Sequence, residues 1–241
     1  MCTVSYIPVE TDNSFILTSN RDEKTYRATL APDTYTINGV DLCFPKDEKA
    51  GGSWIAANNK GRLCCLLNGG IIKHEKQDYH TESRGKVLIE ATQTPNSVES
   101  YFQSKKLSNV EPFTIVTVEN NENGVSYFSE FIWDGASKNY RKLNRLKPYI
   151  WSSVTLYSKE HRAKRSNWFQ AYLKQMQGEI TAEKAFVFHS GNHSSDKEIN
   201  VVMERDGDLK TVSITQVIPG KGRFKMSYTD LMQNNNTTCE I

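Results

Sequence analysis

Three glycine turns, each set between runs of apolar or β-branched residues, constrain what this chain can fold into more than any other feature. Asn38-Gly39 separates residues 34–37 from residues 40–44, and an Asn-Gly pair in such a position is a strong hairpin signal. Asn58-Asn59-Lys60-Gly61 separates residues 53–57 from residues 63–68, and Asp206-Gly207 separates residues 199–204 from residues 209–217. Two more pairs follow the same plan. Residues 3–9 and 14–20 are joined by the polar link of residues 10–13, and residues 113–119 and 125–133 by residues 120–124. Residues 149–152 read as one further short strand. A chain that reverses this often builds antiparallel sheets.

Helices are expected between these runs. Val87, Leu88 and Ala91 fall at helical spacing after Arg84-Gly85. Thr94-Pro95 offers an N-cap and a first-turn proline for a second helix carrying Val98, Tyr101 and Phe102. Ser158 is placed to cap a long helix reaching about Gln177, with Gly178 as its stop. Trp168, Phe169, Tyr172, Leu173 and Met176 form its apolar stripe. A short helix is expected over residues 182–186. The order β, α, β, α, β, without a linker or a repeat, gives one α+β domain over residues 1–232. The polar tail, residues 233–241, is expected to fray.

Composition removes several function classes. With 241 residues, a net charge of +2 and no basic stripe, the chain offers little to nucleic acid. No apolar run reaches the length of a membrane span. The N-terminus lacks a basic segment followed by an apolar one, so no signal peptide is read and the expected location is cytoplasmic. An odd number of cysteines, five, argues against a disulfide framework in that compartment. Cys64 and Cys65 are adjacent in a strand, so they are expected to point to opposite faces as packing residues. His189 and His193 are four apart, but Ser190-Gly191-Asn192 interrupts the helix between them, and no third zinc ligand is evident. No metal and no cofactor is expected.

Chemistry is concentrated near the start. Removal of Met1 leaves Cys2 with a thiol and a free α-amine, a nucleophile and a base on one residue. If the strand ending in Ser19-Asn20-Arg21-Asp22-Glu23 pairs antiparallel with residues 3–9, Arg21 and Asp22 return to the neighbourhood of Cys2. A guanidinium there favours thiolate, and a carboxylate can hold the ammonium. Leu66-Leu67-Asn68-Gly69-Gly70 ends another strand in an amide side chain and exposed N–H groups, suited to stabilising an oxyanion. Gly51-Gly52-Ser53-Trp54 lets backbone pass close to a ligand, and the four tryptophans read as core or pocket walls.

Taken together, Met1-Cys2-Thr3, Asn20-Arg21-Asp22-Glu23, Gly51-Gly52-Ser53-Trp54, Asn59-Lys60-Gly61-Arg62, Leu67-Asn68 and Ser83-Arg84-Gly85 resemble the NRDE family, which contains the transport and Golgi organisation 2 proteins. The resemblance is clear over about the first ninety residues. It implies an N-terminal nucleophile hydrolase-like fold, a four-layer αββα sandwich of two antiparallel sheets flanked by helices, with distant kinship to penicillin V acylases and conjugated bile-salt hydrolases. By position, it makes Cys2 the nucleophile, Asp22 the carboxylate near the amine and Asn68 an oxyanion-side residue, with Arg21 as the fourth catalytic candidate. Asn20, Trp54, Ser152 and Ser153 are assigned to substrate binding. Two departures stand out. The acylases carry their arginine three residues before the aspartate, whereas Arg21 is one before Asp22. They also carry an asparagine where this chain has Ser152-Ser153. The expected function is cleavage of a small non-peptide amide. The alternative is a non-catalytic carrier or chaperone of haem or a lipid-like ligand, with Cys2, His74, His80 or the tryptophans as contacts. Nothing in the sequence sets the oligomeric state.

Overall fold

The computed structural model describes residues 3–9, 13–176, 180–220 and 223–241. The chain opens with β1 (Thr3–Val9) and β2 (Ser14–Lys24), paired antiparallel so that Thr3 faces Asn20 and Val9 faces Ser14. It then crosses to a second sheet built from β3 (Thr29–Ile37), β4 (Val40–Asp47), β5 (Ile55–Asn58), β6 (Arg62–Asn68), β7 (Phe113–Asn121), β8 (Gly124–Trp133) and β9 (Lys138–Lys142), neighbours in that order. It returns to the first sheet with β10 (Tyr149–Ser152), β11 (Glu204–Arg205), β12 (Leu209–Gly220), β13 (Arg223–Asp230) and β14 (Asn235–Glu240). The order there is β10-β1-β2-β12-β13-β14, with β11 alongside β12. The expected hairpins form. Asn38 and Gly39 take φ 51° and 77°, the paired left-handed backbone of a type I′ turn.

Alternation along the strands sorts the core into three layers. Between the sheets, Val4, Tyr6, Phe15 and Leu17 meet Ile55, Leu63, Cys65 and Val116. On the far side of the second sheet, Ala56, Cys64, Leu66 and Ile115 pack under α1 (Arg84–Gln93) and α2 (Val98–Ser104) through Leu88, Ala91 and Phe102. On the far side of the first sheet, Ile7 and Ile16 pack under α3 (Lys159–Gln175) and α4 (Ala182–Ser190) through Phe169 and Phe188. The result is the four-layer αββα sandwich. Cys64 and Cys65 do face opposite layers. Burial pushes the Cys65 thiol up to about 12 and raises that of Cys64, so both stay protonated packing groups at neutral pH.

Five details differ from the sequence expectation. Thr94-Pro95 does not start α2. Thr94 is the C-cap of α1, and Ser97 caps α2 by accepting the N–H of Ser100 at 3.1 Å. A proline that cannot continue one helix has the same sequence signature as one that opens the next. Residues 199–203 are not a strand. The carbonyls of Ile199 and Asn200 accept from the Arg165 guanidinium instead of a neighbouring strand, and pairing begins only at Glu204. The tail does not fray: Asn235–Glu240 pairs along β13 as an edge strand, and its polar side chains suit an edge. A disulfide between Cys43 and Cys239 joins that edge to the second sheet, against the expectation of no cross-link. The short helix expected over residues 182–186 runs on to Ser190. The expected stop of α3 at Gly178 lies outside the described residues.

Candidate functional site

The register of β1 and β2 carries functional groups to one end of the sheets. Thr3, the first described residue of β1, faces Asn20 on one side and Ser152 on the other. Residues two apart on a strand share a face. Val4, Tyr6, Phe15 and Leu17 face the second sheet; this row continues through Ser19 to Arg21. Thr3, Ser5, Thr18, Asn20 and Asp22 form the row turned to the helices. Cys2, the expected nucleophile, lies outside the described residues.

Arg21 is 3% exposed and lies over the Trp54 ring, its guanidinium carbon 4.7 Å from the ring centroid. Its Nη2 donates to Asp47 Oδ2 at 2.8 Å, and Arg27 Nε donates to the same oxygen at 2.8 Å. Burial alone raises the Asp47 carboxyl. The N–H of Ala50 and the Arg27 and Arg21 guanidinia outweigh that effect and hold it below its ordinary value. Asp47 is therefore a charged clamp on both arginines. Arg21, Trp54, Asp47 and Asn68 line one cavity of about 320 Å³, which Ser83, Arg84 and Glu111 help to close. Asn68 also lines a second cavity of about 320 Å³ with Trp151, Ser152, Ser153, Glu130 and Arg141. Ser153 Oγ donates to the Asn68 carbonyl at 2.7 Å and so fixes the backbone that both cavities share. In the second cavity, Glu130 accepts from Trp151 Nε1 at 2.7 Å and from Arg141 at 2.8 Å.

The structure thus brings Arg21, Trp54, Asn68, Ser152 and Ser153 around two adjoining cavities, and it turns Asn20 and Asp22 to the opposite face of β2. Asn20 is fully buried there. Its Nδ2 donates at 3.0 Å to the carbonyls of His189 and Val201, and its Oδ1 meets His189 Nδ1 at 2.5 Å. Every polar atom of that side chain is engaged, and it lines neither cavity. Asp22 accepts from Tyr157 Oη and from Thr211 Oγ1, each at 2.6 Å. The Tyr157 ring carries the Arg165 guanidinium at 3.6 Å. Arg165, fully buried, also donates to Thr3 Oγ1, tying α3 to the first described residue of β1. Sequence reading gave Tyr157, Arg165 and Thr211 no individual role. Arg165 sits among the lysines and arginines of α3, and nothing local marks it as the one that turns inward.

Gly52 and Gly85 hold the rim of the first cavity together. A Cβ on Gly52 would meet Gly85 C at 2.6 Å, and one on Gly85 would meet the Ser53 carbonyl at 2.8 Å. The approach expected at Gly52 is to a ligand; the close approach seen there is to the first turn of α1. His74 and His80 lie 6.3 Å apart by ring centroid, and His74 pairs with Glu111 at 3.3 Å. Among the described residues, no group of three or more His, Cys, Asp or Glu side chains is arranged to hold a metal ion.

Two antiparallel seven-stranded sheets packed face to face between helix layers, with β1 inside one sheet between β10 and β2, define an N-terminal nucleophile hydrolase fold. Penicillin V acylase from Agrobacterium tumefaciens has a similar structure, with a TM-score of 0.59 at 10% identity, over 100% of this chain and 86% of that one. A mutant of conjugated bile acid hydrolase from Clostridium perfringens aligns at TM-score 0.54 and 12% identity, over 100% of this chain and 92% of its own. Identities this low establish the fold alone. The chain belongs to the Transport and Golgi organisation 2 family, whose model matches residues 1–228. No curated protein matches it by sequence. No helix among the described residues is long and apolar enough to cross a membrane.

Proposed function

We propose that this chain is an N-terminal cysteine amidohydrolase acting on a small non-peptide amide, with Cys2 as nucleophile once Met1 has been removed. The observation that carries this reading is the β1–β2 register. It sets Thr3, joined to Cys2 by a single peptide bond, against Asn20, so the start of β1 adjoins Arg21 and the cavity that Arg21 lines. The two solved relatives are an acylase and a conjugated bile acid hydrolase, which supports the same class of reaction.

In this mechanism the Cys2 sulfur attacks the amide carbon while the α-amine takes the thiol proton. The carbonyl π pair moves onto oxygen, where the Asn68 amide and backbone N–H groups receive it. Collapse breaks the C–N bond, and the leaving amine takes the proton back from the ammonium. Water then adds to the thioester, releases the acid and restores the thiol. Arg21 supplies positive potential that favours the thiolate. Asp22, held by Tyr157 and Thr211, acts through the frame of β2. Trp54, Ser152 and Ser153 form walls for substrate, and the reading needs no cofactor. The carrier reading, haem or a lipid-like molecule bound without turnover, is less well supported. The first cavity is lined mostly by polar and charged side chains, Arg21, Arg27, Arg84 and Asp47 among them, which suits a polar ligand better than a flat apolar one.

The test is turnover of a panel of small N-acyl amides, measured with wild type and Cys2→Ala. The reading expects product from wild type and none from the variant. Equal rates would overturn it, as would a haem titration of the Cys2→Ala chain that saturates at one equivalent while no amide is cleaved by wild type.

A further inference from the structure

Two side chains that line the cavity beside Arg21 each carry a buried hydrogen-bond donor that no described residue accepts. Arg21 Nη1 and Trp54 Nε1 have no partner among the described residues, although their side chains are 3% and 4% exposed. Leaving a buried N–H unmade is unfavourable, and native structures rarely do so without reason. Two other indoles are satisfied: Trp133 Nε1 donates to the Val110 carbonyl at 3.0 Å and Trp151 Nε1 to Glu130 at 2.7 Å. The carboxylates at the cavity are already taken. Asp47 holds Arg21 and Arg27, Glu23 pairs with Arg27, Glu82 with Lys105, and Glu111 with Arg84 and His74. Lys76, exposed at the rim, forms no ion pair among the described residues. The unpartnered groups on Arg21 and Trp54 are both N–H donors, and an occupant that completes them brings oxygen acceptors.

We propose that this cavity is a subsite for an oxyanion, a carboxylate or a phosphate carried by a small polar molecule, held by Arg21 Nη1, Trp54 Nε1 and the Lys76 ammonium. Guanidinium N–H groups favour such oxygens. The proposal deepens the amidohydrolase reading by naming a feature of its substrate, an amide that also bears an oxyanion, and it rests on that reading only for the word substrate.

The test uses the Cys2→Ala chain, so that binding is read apart from turnover. The indole ¹⁵N–H signals are followed during titration with succinate, with inorganic phosphate, and with sodium chloride at matched ionic strength. The Trp54 signal is assigned by its loss in Trp54→Phe. It is expected to shift saturably with at least one of the two oxyanions, and the responding titrant identifies the group. The Trp133 and Trp151 signals, whose N–H groups are already bonded, are expected to stay in place. Arg21→Gln is expected to weaken binding about tenfold, the scale of one hydrogen bond to a charged group. Lys76→Gln, at an exposed site that leaves the fold intact, is expected to weaken it about two- to fivefold. A Trp54 signal that moves with neither oxyanion, or no more than with chloride, overturns the proposal. Unchanged affinity in the Lys76 and Arg21 variants overturns it as well.

Discussion

His189 is wholly buried between α4 and the first sheet, where Asn20 fixes its tautomer. Asn20 gives both amide protons to carbonyls, so its Oδ1 must accept, and His189 Nδ1 must carry a proton. Nε2 is then the lone-pair nitrogen, accepting from Ser5 Oγ at 2.7 Å. The Ser-His-Asn row has the spacing of a nucleophile, base and orienter, yet all three side chains are fully buried and line neither site cavity, which makes it a structural element. Burial, with the charges of His193 and Arg165, pushes the His189 pKa down to about 3 from 6.5. The unfolded chain therefore takes up the proton first as pH falls. The stabilisation is complete above pH 6.5 and is lost toward pH 3, at about 1.4 kcal/mol per pH unit. Urea midpoints measured from pH 7 to pH 4 check this: the slope is expected to flatten in His189→Gln, and an equally steep slope there would refute the assignment. Asn20→Ala is expected to lose at least about 2 kcal/mol of stability, because it orphans buried groups. Labelling of Cys2 in the folded protein is expected to be unaffected. At this scale, alternation along β2 made the inward turn of Arg21 readable, since Phe15, Leu17 and Arg21 share a parity. It also put Asn20 and Asp22 on the other face, which the clustering of four polar residues obscured. The partners of Asp22 come from residues 157 and 211, too far along the chain for any local pattern to show.

The elements were legible where turn chemistry and period agree. β3–β4 and β5–β6 follow from Asn38-Gly39 and from Asn58 to Gly61. β13 was missed although Phe224, Met226 and Tyr228 alternate along it, and β9 and β14 were missed because polar edge strands carry almost no apolar signal. Helix boundaries turned on a single dipeptide. Because Ser97, not Thr94, satisfies the first turn of α2, Ser97→Ala is expected to lower stability by about 1 kcal/mol. Thr94→Ala is expected to cost less than half as much, and thermal denaturation of the two variants distinguishes the assignments. The rim contact of Gly52 with α1 makes a stronger claim. Gly52→Ala or Gly85→Ala forces backbone apart at 2.6–2.8 Å, which is expected to cost about 1–3 kcal/mol. Because both glycines line the Arg21 cavity, these variants are also expected to slow probe labelling of Cys2 while the helical content seen by circular dichroism is kept.

For the molecule as a whole, the sandwich has a chemical consequence. Pairing with β2 on one side and with the edge strand β10 on the other brings the start of β1 between two neighbours and beside two cavities that meet at Asn68. The α+β class and its antiparallel sheets could be read from the hairpins. The assignment of β1, β2 and the C-terminal strands to one sheet could not, because it depends on contacts across more than 180 residues, such as Asn20 with Ile214. Long-range pairing of that kind leaves no periodic trace. The central claim is that Cys2 is an activated N-terminal nucleophile. Intact-mass spectrometry after incubation with a thiol-reactive amide probe tests it most directly, with wild type compared to Cys2→Ala. The account predicts that wild type lacks Met1 and gains one adduct on Cys2, while the variant gains none. A retained Met1, or equal labelling of the two proteins, would contradict it.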